Sequence, residues 1–159
     1  MKDDLKGKLK FHVRVLAVEP RAGYMDTVYT QYVLVALENG QKAYVFDGPT
    51  EGHMLCTPDM IGKTKKIVLV MLVHSLVKTE TQAVSIIPDP SRPSLEIDGC
   101  IDEFIIPDDP GEAERWHDAI VDFGVGKVLI EIDRKYFHLQ LREGDYVHIN
   151  GRVDLRDIE

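Results

Sequence analysis

The sequence predicts an all-β protein, and three stretches carry the prediction. Tyr146 to Leu155 (YVHINGRVDL) puts Val147, Ile149, Val153 and Leu155 on one face. Tyr146, His148, Asn150, Arg152 and Asp154 fall on the other, the period-two pattern of a half-buried strand. Tyr32 to Leu37 (YVLVAL) and Lys42 to Asp47 (KAYVFD) flank Asn39-Gly40, a strong hairpin signal whose type I′ form needs positive φ at both central residues. Ile67 to Val73 (IVLVMLV) is an apolar run of strand length, far short of the roughly 20 residues that cross a bilayer as a helix.

The remaining elements follow in chain order. Leu9 to Glu19 reads as a strand stopped by Pro20. Residues 48–64 are turn-rich, with one helical turn after Thr57-Pro58. Lys65 to Val77 is a long strand, Thr79-Glu80 a turn, and Gln82 to Ile87 the antiparallel partner. Pro88 to Pro93 (PDPSRP) can continue neither strand nor helix, which sets a boundary between a first unit, 1–90, and a second, 94–159. In the second unit, Leu95 to Ile106 alternates apolar and acidic residues and bends or bulges at Gly99. Asp109 as N-cap, Pro110 at the first helical position and Glu112 as reciprocal acid open a short helical turn running to Trp116. Ala119 to Phe123 then meets Lys127 to Asp133 across Gly124-Val-Gly126.

The net charge of −8 is unevenly spread. Residues 1–80 carry +2 (11 basic, 9 acidic) and residues 81–159 carry −10 (8 basic, 18 acidic). A polyanion would be repelled by the second half, so any nucleic-acid surface belongs to the first. The N-terminus MKDDLKGKLK has no apolar signal core, and Cys56 and Cys100 form no disulfide or zinc pattern. A cytoplasmic protein with no membrane association is expected. There is no phosphate loop, nucleophile elbow or zincin motif, and no enzyme activity, metal or cofactor is expected. His53, Cys56 and Asp59 are too few to make a metal site, and His12, His74, His117, His138 and His148 are scattered.

The halves repeat a pattern: a bent strand, a loop, a strand–turn–strand, then a Gly-led strand. Gly99, then Ala119-Ile-Val-Asp122 with Gly126-Lys-Val-Leu-Ile130, then Glu143-Gly-Asp-Tyr-Val-His-Ile-Asn-Gly-Arg152 carry it in the second half. This order resembles the OB-fold, in the form found in the replication protein A family. The resemblance implies two packed OB-like Greek-key barrels with short helical turns. The first half supplies five strands, but the second ends at Glu159 after four. Its fifth would be Tyr136 to Leu141, another segment, or another chain; otherwise the barrel is incomplete and its edge is open. Both faces of Ile67 to Val77 are apolar, and the outer one is expected to pack on the second half more readily than on a second copy.

OB-folds bind ligands on the face of strands two and three and the neighbouring loops. The resemblance therefore selects Arg21, Tyr24 and Tyr29 in the first loop. It adds Tyr32, Lys42, Tyr44 and Phe46 on the hairpin, and the Lys63, Lys65, Lys66 cluster. Aromatics among cations suit single-stranded DNA or RNA: rings stack bases and cations meet phosphates. Binding would then be steeply salt-dependent and weakened by Tyr44→Ala or Lys65→Ala. Against this, Tyr32, Tyr44 and Phe46 could point into the core, and the polar face of 146–154 reads mainly as the wet side of a strand. The alternative function is a protein-interaction module that oligomerises or recruits a partner through the open edge.

Overall fold

In the computed structural model, which describes residues 1–49 and 53–159, strands dominate. They are β1 (Phe11–Tyr24), β2 (Thr27–Ala36), β3 (Lys42–Asp47), β4 (Thr64–Thr79), β5 (Ser85–Pro88), β6 (Ser94–Ile105), β7 (Trp116–Asp122), β8 (Lys127–Asp133) and β9 (Tyr146–Ile158). Helix is confined to α1 (Asp3–Leu9), α2 (Pro110–Ala113) and 3-10 turns at Pro58–Met60 and Arg134–Leu139. The protein is all-β. Among the described residues no helix is long and apolar enough to cross a membrane.

Each half has one order: three antiparallel strands, a 3-10 turn, then a long strand. The long strand returns beside the first, so β4-β1-β2-β3 and β9-β6-β7-β8 each have the 4-1-2-3 order of a Greek key. The fifth position in each set is filled by the opposite half. β9 runs parallel to β3 at Phe46–Asp154, and β4 runs parallel to β8 at Val70–Leu129 and Met71–Ile130. β4 and β9 themselves pair antiparallel from Ile67–Ile158 to Thr79–Tyr146. One nine-stranded sheet results, with β1–β4 and β6–β9 pairing closing two five-strand circuits that share β4 and β9. The shared strands have 16 and 13 residues against a usual length of about 5–6. Each gives one end to one circuit and the other end to the second.

The core is continuous through this exchange. Ile67, Leu69 and Met71 of β4 and Val147, Ile149 and Val153 of β9 join residues of both halves in one buried cluster. On the opposite face of β4, Val68 and Val70 pack with Ile120 and Leu129 beneath Leu5 and Leu9 of α1. The outer face of the apolar run is therefore covered within the chain at Val68 and Val70, while Leu72 stays exposed. Leu9 is fully buried, worth about 1.5–3 kcal/mol to the docking of a helix that is otherwise polar.

Several expectations need correction. Pro20 does not stop β1, because beyond Arg14 that strand has only β2 as neighbour and a missing N–H on its free edge costs nothing. Leu9 ends a helix instead of starting a strand. The Asn39-Gly40 hairpin forms, but only Gly40 has positive φ (88°). Gly40 N–H donates to Leu37 O and Leu37 N–H to Gln41 O, a three-residue loop with glycine in the left-handed position, not a type I′ turn. Gln82 to Ile87 does not pair with Lys65 to Val77. Its ordered part, β5, pairs with β6 from Ser85–Asp98 to Pro88–Leu95. Residues 89–93 are thus a hairpin connection, and a division at 90/94 cuts it. Tyr136 to Leu141 lies largely in a 3-10 turn, and β4 supplies the strand that the second half lacks. The irregularity of β6 falls at Asp102. Gly99 instead admits β7, since a Cβ there would lie 2.6 Å from Val121 Cγ1 and 2.7 Å from the Asp122 carbonyl oxygen. Residues 50–52 of the turn-rich segment lie outside the described residues, while its helical turn forms at Pro58–Met60.

Candidate nucleic-acid interface

Strand alternation sorts β2 and β3 into two faces. Gln31, Val33, Val35, Ala43, Val45 and Asp47 are buried inward, while Tyr32, Leu34, Lys42, Tyr44 and Phe46 point outward. The aromatic residues are therefore not core. Tyr32 stands opposite Phe46 and Leu34 opposite Tyr44. The face continues to Glu19, opposite Tyr32 on β1, and to Asp154, beside Phe46 on β9.

Two arginines cap the rings. The Arg21 guanidinium carbon lies 4.2 Å from the Tyr32 centroid and that of Arg152 lies 4.3 Å from the Phe46 centroid. Tyr32 and Tyr44 are 6.1 Å apart, tilted by 58°. Arg152 Nε and Nη2 donate to both Asp154 oxygens at 2.7 and 2.8 Å, which fixes it over Phe46 and neutralises much of its charge. Arg21 is exposed and, among the described residues, has no carboxylate within ion-pair distance. A hydrogen bond to the Glu19 carboxylate, with partial burial, raises the Tyr44 phenol above its ordinary pKa of 10.0.

The face is bounded on both sides. At one end β1 and β2 extend past the sheet as a hairpin whose tip exposes Tyr24, Met25 and Tyr29. At the other, Leu34, Gln41, Lys42 and Tyr44 face Pro88, Asp89 and Pro90 of the β5–β6 connection across a groove of about 410 Å³. Gln41 Nε2 donates to the Ile86 carbonyl at 3.0 Å, tying the β2–β3 hairpin to β5. Asp89 accepts the backbone N–H groups of Ser91 and Arg92, so the proline-rich connection is ordered and Asp89 is held below its ordinary pKa.

Arg21, Tyr32, Lys42, Tyr44 and Phe46 thus share one face, with Tyr24 and Tyr29 on the hairpin beside it. Lys63, Lys65 and Lys66 do not join them. Lys65 stands opposite the buried Val13 and Lys66 opposite His12, at the far end of β1, and Lys66 exchanges backbone hydrogen bonds with Glu159. Glu19 and the Pro88–Pro90 wall escaped the sequence reading, which placed Arg152 on the wet side of a strand. Arg152 reaches Phe46 only because β9 crosses to β3, a parallel pairing with no local signature.

The polar face of β9 is half-buried rather than freely solvated. His148 Nδ1 lies 2.8 Å from Asp98 Oδ1, and Ser85 Oγ donates to Asp98 Oδ2 at 3.1 Å. Beneath β3, the buried Asp47 carboxylate accepts from Gln31 Nε2 and from the Leu55 and Cys56 N–H groups, anchoring Leu55 and Cys56 against β2 and β3. Burial, then the Asp47 charge, pushes the Cys56 thiol up to about 11, so it is a structural residue and not a nucleophile. Among the described residues no three His, Cys, Asp or Glu side chains converge on a metal-sized site. No model of a known protein family matches the chain, and no curated protein matches it in sequence.

Proposed function

We propose that the two circuits are OB-like barrels exchanging their fifth strands, and that the chain is a non-enzymatic protein binding single-stranded DNA or RNA on the outer face of β2 and β3. The observation that carries this reading is the row Arg21–Tyr32–Tyr44–Phe46, set outward between a protruding hairpin and the β5–β6 connection. That is where the OB architecture takes its ligands. Half-buried rings with cations beside them offer stacking to bases and charge to phosphates.

The test is fluorescence anisotropy of labelled single-stranded DNA and RNA titrated with protein at low and moderate salt. Saturable binding that weakens with salt is expected. No binding at low salt would overturn the reading. The assembly alternative loses the open edge that motivated it, because β4 fills that position, but exposed Val84 and Ile87 beside edge strand β5 still support it. A salt-insensitive dimer in light scattering, with no affinity for oligonucleotides, would favour that alternative.

A further inference from the structure

One polar atom on the aromatic face is unmatched. Glu19 Oε2 is shielded from solvent and has no hydrogen-bond partner, and among the described residues it is the sole buried side-chain nitrogen or oxygen in that state. An acceptor held in this way loses its hydration without recovering a bond, so a donor arriving with a ligand would be favoured there. Its place favours a base. Glu19 lies opposite Tyr32, the ring capped by Arg21 at 4.2 Å and neighboured by Tyr44 at 6.1 Å. Arg21 is exposed and, among the described residues, has no carboxylate within ion-pair distance, so it can lift from Tyr32 and uncover the ring. The Tyr44 hydroxyl lies beside the same carboxylate, which raises its pKa.

Resting on the single-strand reading, we infer that Glu19 is the specificity-determining acceptor of this face, taking an exocyclic amino hydrogen of a base stacked on Tyr32 and Tyr44. Carboxylates accept from amino groups such as cytosine N4. Thymine and uracil present two carbonyl oxygens around a single ring N–H, so a fixed anionic acceptor repels most of that edge. The face therefore prefers amino-bearing bases to thymine or uracil. The strand lies with bases inward and phosphates toward Arg21 and Lys42, which keeps its charge away from the carboxylate.

The test compares labelled oligo-dC, oligo-dA and oligo-dT of equal length, at neutral pH and low salt, on wild type, Glu19→Gln and Lys65→Ala. Wild type is expected to bind dC and dA about tenfold more tightly than dT. Glu19→Gln keeps the shape but offers a donor as well as an acceptor, and should bring the three within about threefold, mainly by gaining affinity for dT. Lys65→Ala, at a residue that pairs with Val13 away from this face, should retain the wild-type preference. Equal binding of all three oligonucleotides by wild type would overturn the assignment to Glu19 while leaving the surface intact. A preference that survives Glu19→Gln would do the same. No binding of any oligonucleotide would overturn the single-strand reading itself, and the inference with it.

Discussion

Gly151 on β9 lies so close to Leu72 on β4 that a Cβ on the glycine would fall 2.1 Å from the Leu72 carbonyl oxygen. Gly151 is flanked on both sides, by Val73 of β4 and Leu95 of β6, next to the irregularity at His74 where the β4–β9 register shifts. The obstructing atom is backbone, which cannot rotate away. Gly151→Ala should therefore cost about 3 kcal/mol, the upper end of overpacking penalties. Urea unfolding measures it, and unchanged stability would mean that the strands separate easily at this point.

The exchange makes each half dependent on the other. A fragment spanning 1–81 would lack β9 between β3 and β4, and one spanning 82–159 would lack β4 between β8 and β9. Each would expose the apolar inner residues of its own long strand to water. Neither fragment should fold alone, whereas an equimolar mixture should recover native near-ultraviolet circular dichroism. A fragment giving a dispersed proton spectrum by itself would show that one circuit can do without the borrowed strand.

Asp47 is fully buried and its carboxylate accepts three hydrogen bonds. Asp47→Asn replaces one accepting oxygen with a donor amide facing other donors, stranding at least one buried N–H group. The expected loss is about 3 kcal/mol, since bonds to charged groups are worth roughly 1.5–3 kcal/mol and an orphaned buried donor adds to the cost. Thermal unfolding tests this, with Gln31→Leu as a companion that removes one of the three donors.

Most strands were legible from a period-two signature or a short apolar run, and the faces of β9 were read correctly from Val147 to Leu155. Partner identity was not. Nothing local in Gln82 to Ile87 says that it pairs forward with Leu95 to Asp98 instead of backward with β4. The same holds for Asp154 beside Phe46, where two strands distant in sequence meet in parallel. The signal for the exchange was the excess length and two apolar faces of Lys65 to Val77, which one small barrel cannot use. Helix α1 was missed because it buries only Leu5 and Leu9, an i, i+4 pair too short to establish a period. At the candidate site, residue types pointed to the aromatic face. Which cations reach it depended on strand order, and so Arg152 was left out while Lys63, Lys65 and Lys66 were included.

On the other circuit, Asp118 of β7 stands directly opposite Glu131 of β8. Burial first, then the Glu131 charge, raises the Asp118 pKa above its ordinary 3.8. Between 3.8 and the raised folded value the folded state binds more protons than the unfolded. Stability therefore falls as pH rises through that interval, and the penalty is complete above it. Asp118→Asn should gain about 0.5 kcal/mol at neutral pH, in the range of cross-strand charge effects, and nothing at about pH 3, where the carboxyl is protonated in both states. Chemical denaturation at the two pH values reads this difference, and an equal effect at both would assign it to packing.

The aromatic face makes separable demands on single-strand binding. Tyr44→Ala removes a stacking ring and should weaken binding by about 1–3 kcal/mol, whereas Lys65→Ala, on another part of the molecule, should change it less than about twofold. The lysine result reverses what the sequence alone suggests. The salt dependence should also be shallow. Arg152 is already paired with Asp154, which leaves Arg21 and Lys42 as the cations of the face without an ion pair among the described residues. Two phosphate contacts give a slope of log affinity against log salt of about −1.4 for a single strand. A slope near −3, with Lys65→Ala as damaging as Tyr44→Ala, would move the strand off the β2–β3 face and onto the lysines at the start of β4.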